Sequence, residues 1–151
     1  MKPPNHSAPS SPPEPFPVPG GVSFSVVGRP APQGSKRAVR PGVMVEMSKY
    51  VKPWRRDVEA AGKEAVGDGW TPLDGALLLD VVFVQVRPKS APKDRVHPTV
   101  APDLSKLVRS TEDALTTAGI IRDDARITDL HAYKRYDDWS GAIITIREVT
   151  A

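Results

Sequence analysis

One run of apolar residues constrains the fold more than any other feature of this sequence. Within residues 73–87 it reads ALLLDVVFVQV, and it is apolar at odd and even positions alike. A strand with one solvated face alternates apolar and polar side chains, whereas a run that is apolar on both faces is typical of a strand covered on both sides. The β-branched and aromatic residues of the run favour a strand over a helix. The chain is therefore predicted to build a sheet around this strand, which Pro88 ends.

Two further patterns precede this strand. The alternation of VSFSVV from Val22 predicts a strand with one buried face. Residues 48–66 carry apolar side chains every three or four positions, which predicts a helix with Ser48 as the N-cap and Pro53 in its first turn. Trp54 of this helix is interpreted as a core residue rather than a base-stacking one.

The carboxyl-terminal half adds a second helix and two strands. Residues 103–118 are amphipathic, and Gly119 suits the C′ position that follows a helix. The polar face of this helix is predicted to carry Asp103, Lys106, Arg109, Ser110 and Asp113. The runs ITDLHAYKRY and GAIITIREV read as strands joined by the hairpin-length connection 137–141. The predicted fold is α+β, with two layers: a mixed β-sheet of about four or five strands and two helices packed on it.

The amino-terminal segment differs in composition from the rest. Residues 1–20 contain eight prolines and little that could build a core, so they are predicted to form a disordered Pro-rich tail. A role as a PxxP ligand is the alternative for this tail. The remaining residues, 21–151, suit a single domain of ordinary size.

Composition excludes several functional classes. The chain has no cysteine, which rules out disulfides, cysteine-ligated zinc and thiol catalysis. Its histidines, at positions 6, 97 and 131, lie far apart and in no metal-binding spacing, so they are interpreted as incidental. There is no apolar run near the roughly 20 residues that a membrane helix needs and no signal-peptide pattern, so a cytoplasmic protein without membrane contact is expected.

Basic residues are grouped rather than spread. The net charge is only +3, but basic side chains gather in residues 29–40, 49–56 and 87–95. Patches of this kind neutralise a phosphate backbone, and a solvated surface is the alternative interpretation. Residues 31–47 are predicted to form an irregular basic arm or hairpin, and the polar segment 89–100 a long functional loop. The candidate DNA-binding residues are Lys36, Arg37, Lys89, Lys93, Arg95 and Lys106.

Three acidic residues bracket the second predicted helix. Asp103 precedes the helix, and the adjacent Asp123 and Asp124 follow Gly119 on the return. If the two ends lie side by side, three carboxylates converge, and such a cluster of hard oxygen ligands suits Mg²⁺ or Mn²⁺. The alternative is structural: Asp103 as an N-cap, and Asp123 and Asp124 in an ordinary turn.

The same segment resembles the RusA family of crossover junction endodeoxyribonucleases, which resolve Holliday junctions and are common in phages and prophages. The family pattern is approximately D-L-D-N/K-L-x-K/R, D-A-L, a glycine, and D-D followed by an apolar strand ending in lysine. The matching elements here are Asp103-Leu104-Ser105-Lys106-Leu107-Val108-Arg109, Asp113-Ala114-Leu115, Gly119, Asp123-Asp124, Ile127 and Lys134. Weaker agreement extends over most of the chain beyond the first twenty residues.

The resemblance implies a Mg²⁺-dependent nuclease, with Mn²⁺ as a substitute. It assigns Asp103 and Asp124 to catalysis and metal binding, with Asp123 beside them as a further ligand. Arg109 stands where the family usually has lysine, and its planar, permanently charged fork suits phosphate clamping better than proton transfer. Lys134 is the second basic residue that the resemblance brings to the site.

One departure from the family pattern concerns the metal directly. Ser105 replaces the second aspartate of the D-x-D pair, and a hydroxyl is a weak, neutral ligand. Three outcomes follow: a metal bound through a water that Ser105 holds, compensation by Asp113 or Asp123, or loss of cleavage with retained junction binding.

The resemblance also implies a substrate and an assembly. A four-way DNA junction has two-fold symmetry, so paired cleavage of opposing strands in recombination and repair calls for a homodimer. Two alternatives compete with a junction nuclease. The first is a protein that binds branched DNA without cutting it, and the second is an α+β domain that binds a small molecule.

Overall fold

The computed structural model describes residues 12–33, 36–41, 43–46 and 49–150. Within these residues, two helices, α1 (Val51–Val66) and α2 (Leu104–Thr117), and one short 3-10 helix (Asp124–Arg126) accompany seven strands. The strands are β1 (Phe16–Val18), β2 (Gly21–Val27), β3 (Lys36–Arg40), β4 (Val43–Glu46), β5 (Leu77–Val86), β6 (Ile127–Asp137) and β7 (Gly141–Glu148).

Five of the strands form one mixed sheet in the order β1-β2-β7-β5-β6. β5 pairs parallel with β6 and antiparallel with β7. Its odd-numbered residues from Leu77 to Phe83 are buried in the main core, whereas Val82 and Val84 are buried on the opposite face with Trp139. The α+β prediction is confirmed, and so is the prediction that this strand is covered on both faces.

The two helices pack together over one face of the sheet. Trp54 of α1 is completely buried, lies 6.5 Å from the Phe83 ring between centroids, and donates a 3.2 Å hydrogen bond to Thr111 of α2. A buried indole N–H needs such a partner, so Trp54 is the core residue that the sequence predicted. Neither helix of the described part is long and apolar enough to cross a membrane.

The last two strands differ from the predicted hairpin. β6 and β7 do not pair with each other, because β5 lies between them and bonds to both. Two strands that flank a common partner lie about 9.6 Å apart, twice the spacing of adjacent strands. Residues 138–140 span that gap between β6 and β7. Trp139 in this connection packs against Val82 and Val84. The sequence indicated two strands and a short link correctly but not the intervening partner.

The folded part begins earlier than residue 21. Phe16–Val18 forms β1 and pairs with Ser23, Val22 and Gly21 of β2, so these residues belong to the sheet and not to the predicted tail. Pro17 is tolerated there because β1 is an edge strand. Residues 1–11 lie outside the described residues.

The predicted basic arm is a two-stranded antiparallel hairpin, β3 with β4. Lys36 and Arg37 belong to β3, but their side chains lie outside the described part of the structure. The helix predicted over 48–66 begins at Val51, with Tyr50 at the N-cap position. The proposed cap Ser48 lies outside the described residues.

Candidate active site

The segment before β3 fixes the position of α2. The Ser110 hydroxyl donates a 2.7 Å hydrogen bond to the Ala31 carbonyl, and the Gln33 amide N–H donates a 3.1 Å bond to the Lys106 carbonyl. The Gln33 side-chain amide also donates to the Asp113 carboxylate. These contacts bury Ser110 fully. The sequence had predicted that Ser110 lies on the polar face of α2.

The return after α2 is fixed by backbone pairing. Gly119 has a φ of 74°, which is the left-handed C′ conformation that the sequence predicted. The Leu73 N–H then donates to the Ile120 carbonyl at 3.1 Å, and the Arg122 N–H donates to the Leu73 carbonyl at 2.9 Å. These bonds hold the chain immediately before Asp123 and Asp124.

Asp123 has a local structural role. Its Oδ1 accepts a 2.8 Å hydrogen bond from the Ala125 N–H and so caps the 3-10 helix. Asp123 therefore makes the local turn contact that the sequence offered as the structural alternative for this residue. Asp124 follows it and extends toward α2, where it contributes to a cavity.

We call this the acidic cavity, and it occupies about 860 Å³ between α2, β6 and the return. It is lined by Leu104, Ser105, Val108, Arg109, Glu112, Asp113, Asp124, Leu130 and Ala132. Leu130 and Ala132, at alternate positions of β6, line it from the sheet. The cavity brings Asp124 together with Ser105, Arg109 and Asp113.

Glu112 is the member of this cavity that sequence analysis missed. The signal for it is helical spacing, since positions 105, 109 and 112 recur every three or four residues and share one face of α2. Glu112, unlike its neighbour Asp113, matches no element of the family pattern.

Like charges act on one another in the acidic cavity. Burial, together with the charges of Asp124 and Asp113, raises the pKa of Glu112 to about 7. The hydrogen bond with Asp123, together with burial, raises the pKa of Asp124. The hydrogen bond from the Ala125 N–H lowers the pKa of Asp123. Asp123 is therefore the favoured anion of the adjacent pair, and ionisation of Asp124 and Glu112 together brings like charges close, a repulsion that a cation would relieve.

Asp103 lines a different cavity, of about 430 Å³, which we call the basic cavity. Its charged and aromatic lining is Arg29, Tyr50, Asp103 and Lys106. The Asp103 carboxylate is 63% exposed and lies 3.6 Å from the Lys106 ammonium. Asp103 occupies the N-cap position of α2, but its side chain makes no capping hydrogen bond. The two carboxylates predicted to share a metal thus line separate cavities.

A cation lies against an aromatic ring in the basic cavity. The Arg29 guanidinium is 3.6 Å from the centroid of the Tyr50 ring, and the Lys49 ammonium is 5.2 Å from it. A hydrogen bond with Lys49 and the charges of Lys49 and Arg29 lower the pKa of the Tyr50 hydroxyl. With Lys106, these groups form a positive surface beside the start of α2.

The predicted basic residues take up different positions. Arg109 is exposed and lines the acidic cavity. Lys134 donates hydrogen bonds to the carbonyls of Val100 and Pro102, at 2.9 and 3.0 Å, and so ties β6 to the segment that leads into α2. Lys89 and Lys93 are exposed in the loop after β5.

That loop is organised by Arg87. Its guanidinium donates to the carbonyls of Arg95 and Ala91, each at 3.3 Å, and to that of Pro92. Arg95 is half-buried, and its carbonyl is one of the acceptors that hold the loop. The predicted functional loop is therefore folded back on itself by side-chain bonds.

The donor set of the acidic cavity fits one ion of the Mg²⁺ type. Within the described ranges, no group of three or more His, Asp and Glu side chains could hold a metal ion. Mg²⁺ does not require such a cage, because it keeps several waters and binds through one or two carboxylates. Asp124, Glu112 and Asp113 line the acidic cavity and carry oxygen ligands of the kind that Mg²⁺ prefers.

A family model for the endodeoxyribonuclease RusA matches residues 28–147. The chain belongs to the RusA endodeoxyribonuclease family. It is also 30% identical over 145 residues to the protein YqaN of Bacillus subtilis (strain 168), which is described as uncharacterized. That alignment covers 86% of this chain and 98% of YqaN.

Membership in the RusA family confirms the resemblance seen in the sequence. It implies an endonuclease that hydrolyses DNA, of the Holliday junction resolvase kind, and RusA proteins act on branched DNA. Nucleases of the RusA family generally depend on a divalent metal. The matched residues include α2, the return and β6, so both cavities belong to the RusA domain.

Proposed function

We propose that this protein is a Mg²⁺-dependent endonuclease that resolves Holliday junctions by paired phosphodiester cleavage, in recombination and repair of the kind that phages and prophages carry out. The observation that supports it most is the acidic cavity, where Asp124 faces α2 beside Arg109 within the family-matched region. Carboxylates next to a free guanidinium suit a phosphodiester, whose charge must be held and whose transition state gains charge.

The proposed mechanism assigns separate tasks to the cavity residues. A bound Mg²⁺ or Mn²⁺ would polarise the phosphodiester and lower the pKa of an attacking water. Asp124 would hold that ion, and Arg109 would clamp the phosphate and offset the charge that develops on it. Ser105 would retain a water near the ion through its hydroxyl. Lys134 would act indirectly, by fixing the segment before α2.

DNA contact is proposed along the adjoining basic surface. Arg29 and Lys106 of the basic cavity lie next to the acidic cavity along α2 and would neutralise phosphates on either side of the cleaved bond. Lys89, Lys93 and Arg95 of the loop, with Lys36 and Arg37 of β3, are the further proposed contacts. Two-fold junction symmetry motivates a homodimer that presents two such sites.

Cleavage of a synthetic four-way junction tests the proposal. Wild-type protein with Mg²⁺ should release paired nicked products, and omission of the metal should prevent this. We expect Asp124→Asn to lose cleavage and Ser105→Asp, which restores a carboxylate, to cut at an equal or greater rate. Linear duplex of the same sequence is the substrate control.

The competing function is junction binding without cleavage, and Ser105 is the observation that favours it. It predicts a junction that is shifted in a native gel but remains intact with every divalent metal. A protein that cuts only after Ser105→Asp would support this alternative, because the loss would then trace to the missing carboxylate.

A further inference from the structure

We infer that Tyr50 is a positioning residue for DNA: its ring holds the Arg29 guanidinium at the basic cavity in the orientation that receives a backbone phosphate. This inference rests on the proposed function, because a phosphate of the junction is the ligand that Arg29 would bind. Tyr50 stands at the N-cap position of α1 and matches no element of the family pattern. It acts through Arg29 and does not itself contact the DNA.

The fold holds the Tyr50 ring in place before any ligand arrives. Tyr50 is half-buried and packs against the main hydrophobic core. Its carbonyl accepts a 3.0 Å hydrogen bond from the N–H of Trp54, which is completely buried in that core. A tyrosine has only two rotatable side-chain bonds, so a ring anchored in this way loses little further freedom on binding. The ring is therefore a preformed support for the guanidinium.

The main chain that leads to Arg29 is fixed as well. The Gly28 N–H donates a 3.1 Å hydrogen bond to the Ser140 carbonyl. A β-carbon at Gly28 would overlap the Asp57 carboxylate, so the turn lies directly against α1. Pro30, on the other side of Arg29, is buried. Because the backbone on both sides is held, the orientation of the Arg29 side chain depends on what its guanidinium contacts.

The geometry of the contact leaves the donors of Arg29 available. The guanidinium carbon is 3.6 Å from the centroid of the Tyr50 ring. At this distance the guanidinium lies roughly parallel to the ring, because an edge-on approach would push a nitrogen into the ring atoms. A guanidinium stacked through its face keeps its N–H groups at its edge, where they match the oxygens of a phosphate. Among the described residues, no carboxylate forms an ion pair with Arg29.

The surroundings favour a phosphate over a nucleobase as the ligand. Arg29 and Lys106 line the basic cavity with one carboxylate, that of Asp103. The Lys49 ammonium, 5.2 Å from the centroid of the Tyr50 ring, adds a further positive charge. A nucleobase stacks on an open aromatic face, but here the guanidinium covers the ring. The cavity therefore offers an oriented cation and not a stacking platform.

Junction binding by the full chain tests the inference, with fluorescence anisotropy of a labelled synthetic four-way junction in chelator as the measurement. We expect Tyr50→Leu to weaken binding about two- to fivefold, the range that a cation–π contact provides at an exposed site. Tyr50→Phe keeps the ring and should bind within about twofold of wild type. In an Arg29→Gln background, Tyr50→Leu should have no further effect, because the ring acts through the guanidinium.

Two more variants control for folding and for the loss of any tyrosine. Arg29→Lys changes an exposed side chain and keeps its charge but not its planar fork, so it should weaken binding by a similar factor with unchanged salt dependence. Tyr133→Leu removes a tyrosine that is 48% exposed on the opposite face of the sheet, opposite Val82 of β5, and should bind like wild type. Thermal unfolding of each variant shows that it is folded.

Three results would overturn the inference. Equal losses in Tyr50→Phe and Tyr50→Leu would assign the effect to the hydroxyl. A full effect of Tyr50→Leu in the Arg29→Gln background would show that the ring acts without the guanidinium. Wild-type affinity in Arg29→Lys would show that the stacked orientation is not needed.

Cleavage by the wild type separates this inference from the proposed function. Junction cleavage alongside any of the three results would leave the nuclease proposal standing while the role of Tyr50 fails. The expected binding pattern in a protein that cuts no junction with any divalent metal would sustain the role of Tyr50 and refute the nuclease. A protein that binds no junction would refute both.

Discussion

The fold opposes ionisation of the Glu112 carboxyl, because the group is half-buried and lies near Asp124 and Asp113. The folded chain keeps this proton up to about pH 7, whereas the unfolded chain releases it near the usual value of 4.5. Between these pH values the folded state binds more protons than the unfolded state. The free energy of unfolding therefore falls as the pH rises through that window.

Replacing Glu112 by glutamine should remove this pH dependence. In buffer without divalent metal, the Glu112→Gln variant should match wild type near pH 4.5 and be more stable by about 1 kcal/mol at pH 8, after allowance for solvent screening of a half-exposed group. Urea unfolding at both pH values measures the difference. A stability difference that is the same at both pH values would contradict the assignment.

At the scale of single residues, the sequence indicates which side chains are chemically suited to a site but not which ones share a cavity. Asp124 and Arg109 were predicted to share a site, and both line the acidic cavity. Asp103 was predicted to lie beside Asp124, but it lines the basic cavity. The orientation of the Asp103 side chain at the helix end is set locally, by the i,i+3 ion pair with Lys106. Glu112 could be found from helical spacing, but only once Asp124 was known to face α2.

At the scale of elements, Lys134 connects β6 to the segment that enters α2. Its ammonium donates to two main-chain carbonyls, those of Val100 and Pro102. A mobile entry segment would release the amino-terminal end of α2, which carries Ser105 and Lys106. Lys134 is thus expected to influence the site through position and not by contact with substrate.

Substitution of Lys134 by methionine tests this link, because methionine keeps the aliphatic stem and removes the charged donor. Loss of both hydrogen bonds should lower the free energy of unfolding by about 1–2 kcal/mol and increase proteolysis within residues 88–102. The matched control is Lys89→Met in the exposed part of the same loop. Equal proteolysis of the two variants would exclude a tethering role for Lys134.

Element types were easier to predict than element partners. The alternation in β2, the two-sided apolar run of β5 and the apolar stripes of both helices all record local burial, which sequence patterns carry directly. Pairing is non-local, so the insertion of β5 between β6 and β7 leaves no trace in the spacing of those strands. β1 was missed because three residues with a central proline resemble a tail until their partner strand is known.

At the scale of the whole molecule, basic side chains lie on both faces of the sheet although the net charge is only +3. Arg29 and Lys106 line the basic cavity near α2, whereas the opposite face of the sheet carries Ser23 hydrogen-bonded to Thr145 at 2.9 Å, with Arg147 farther along β7. A DNA molecule that spans both cavities would contact the first surface and not the second.

The salt dependence of junction binding distinguishes these surfaces. Each phosphate that a basic side chain neutralises adds about 0.9 to the slope of log affinity against log salt concentration. Arg29→Gln should therefore reduce the slope by about 1, measured by fluorescence anisotropy in chelator without cleavage. Arg147→Gln removes the same charge from the opposite face and should leave the slope unchanged. Because the two variants have equal net charge, a slope reduced equally in both would show that binding follows overall charge and not the surface beside α2.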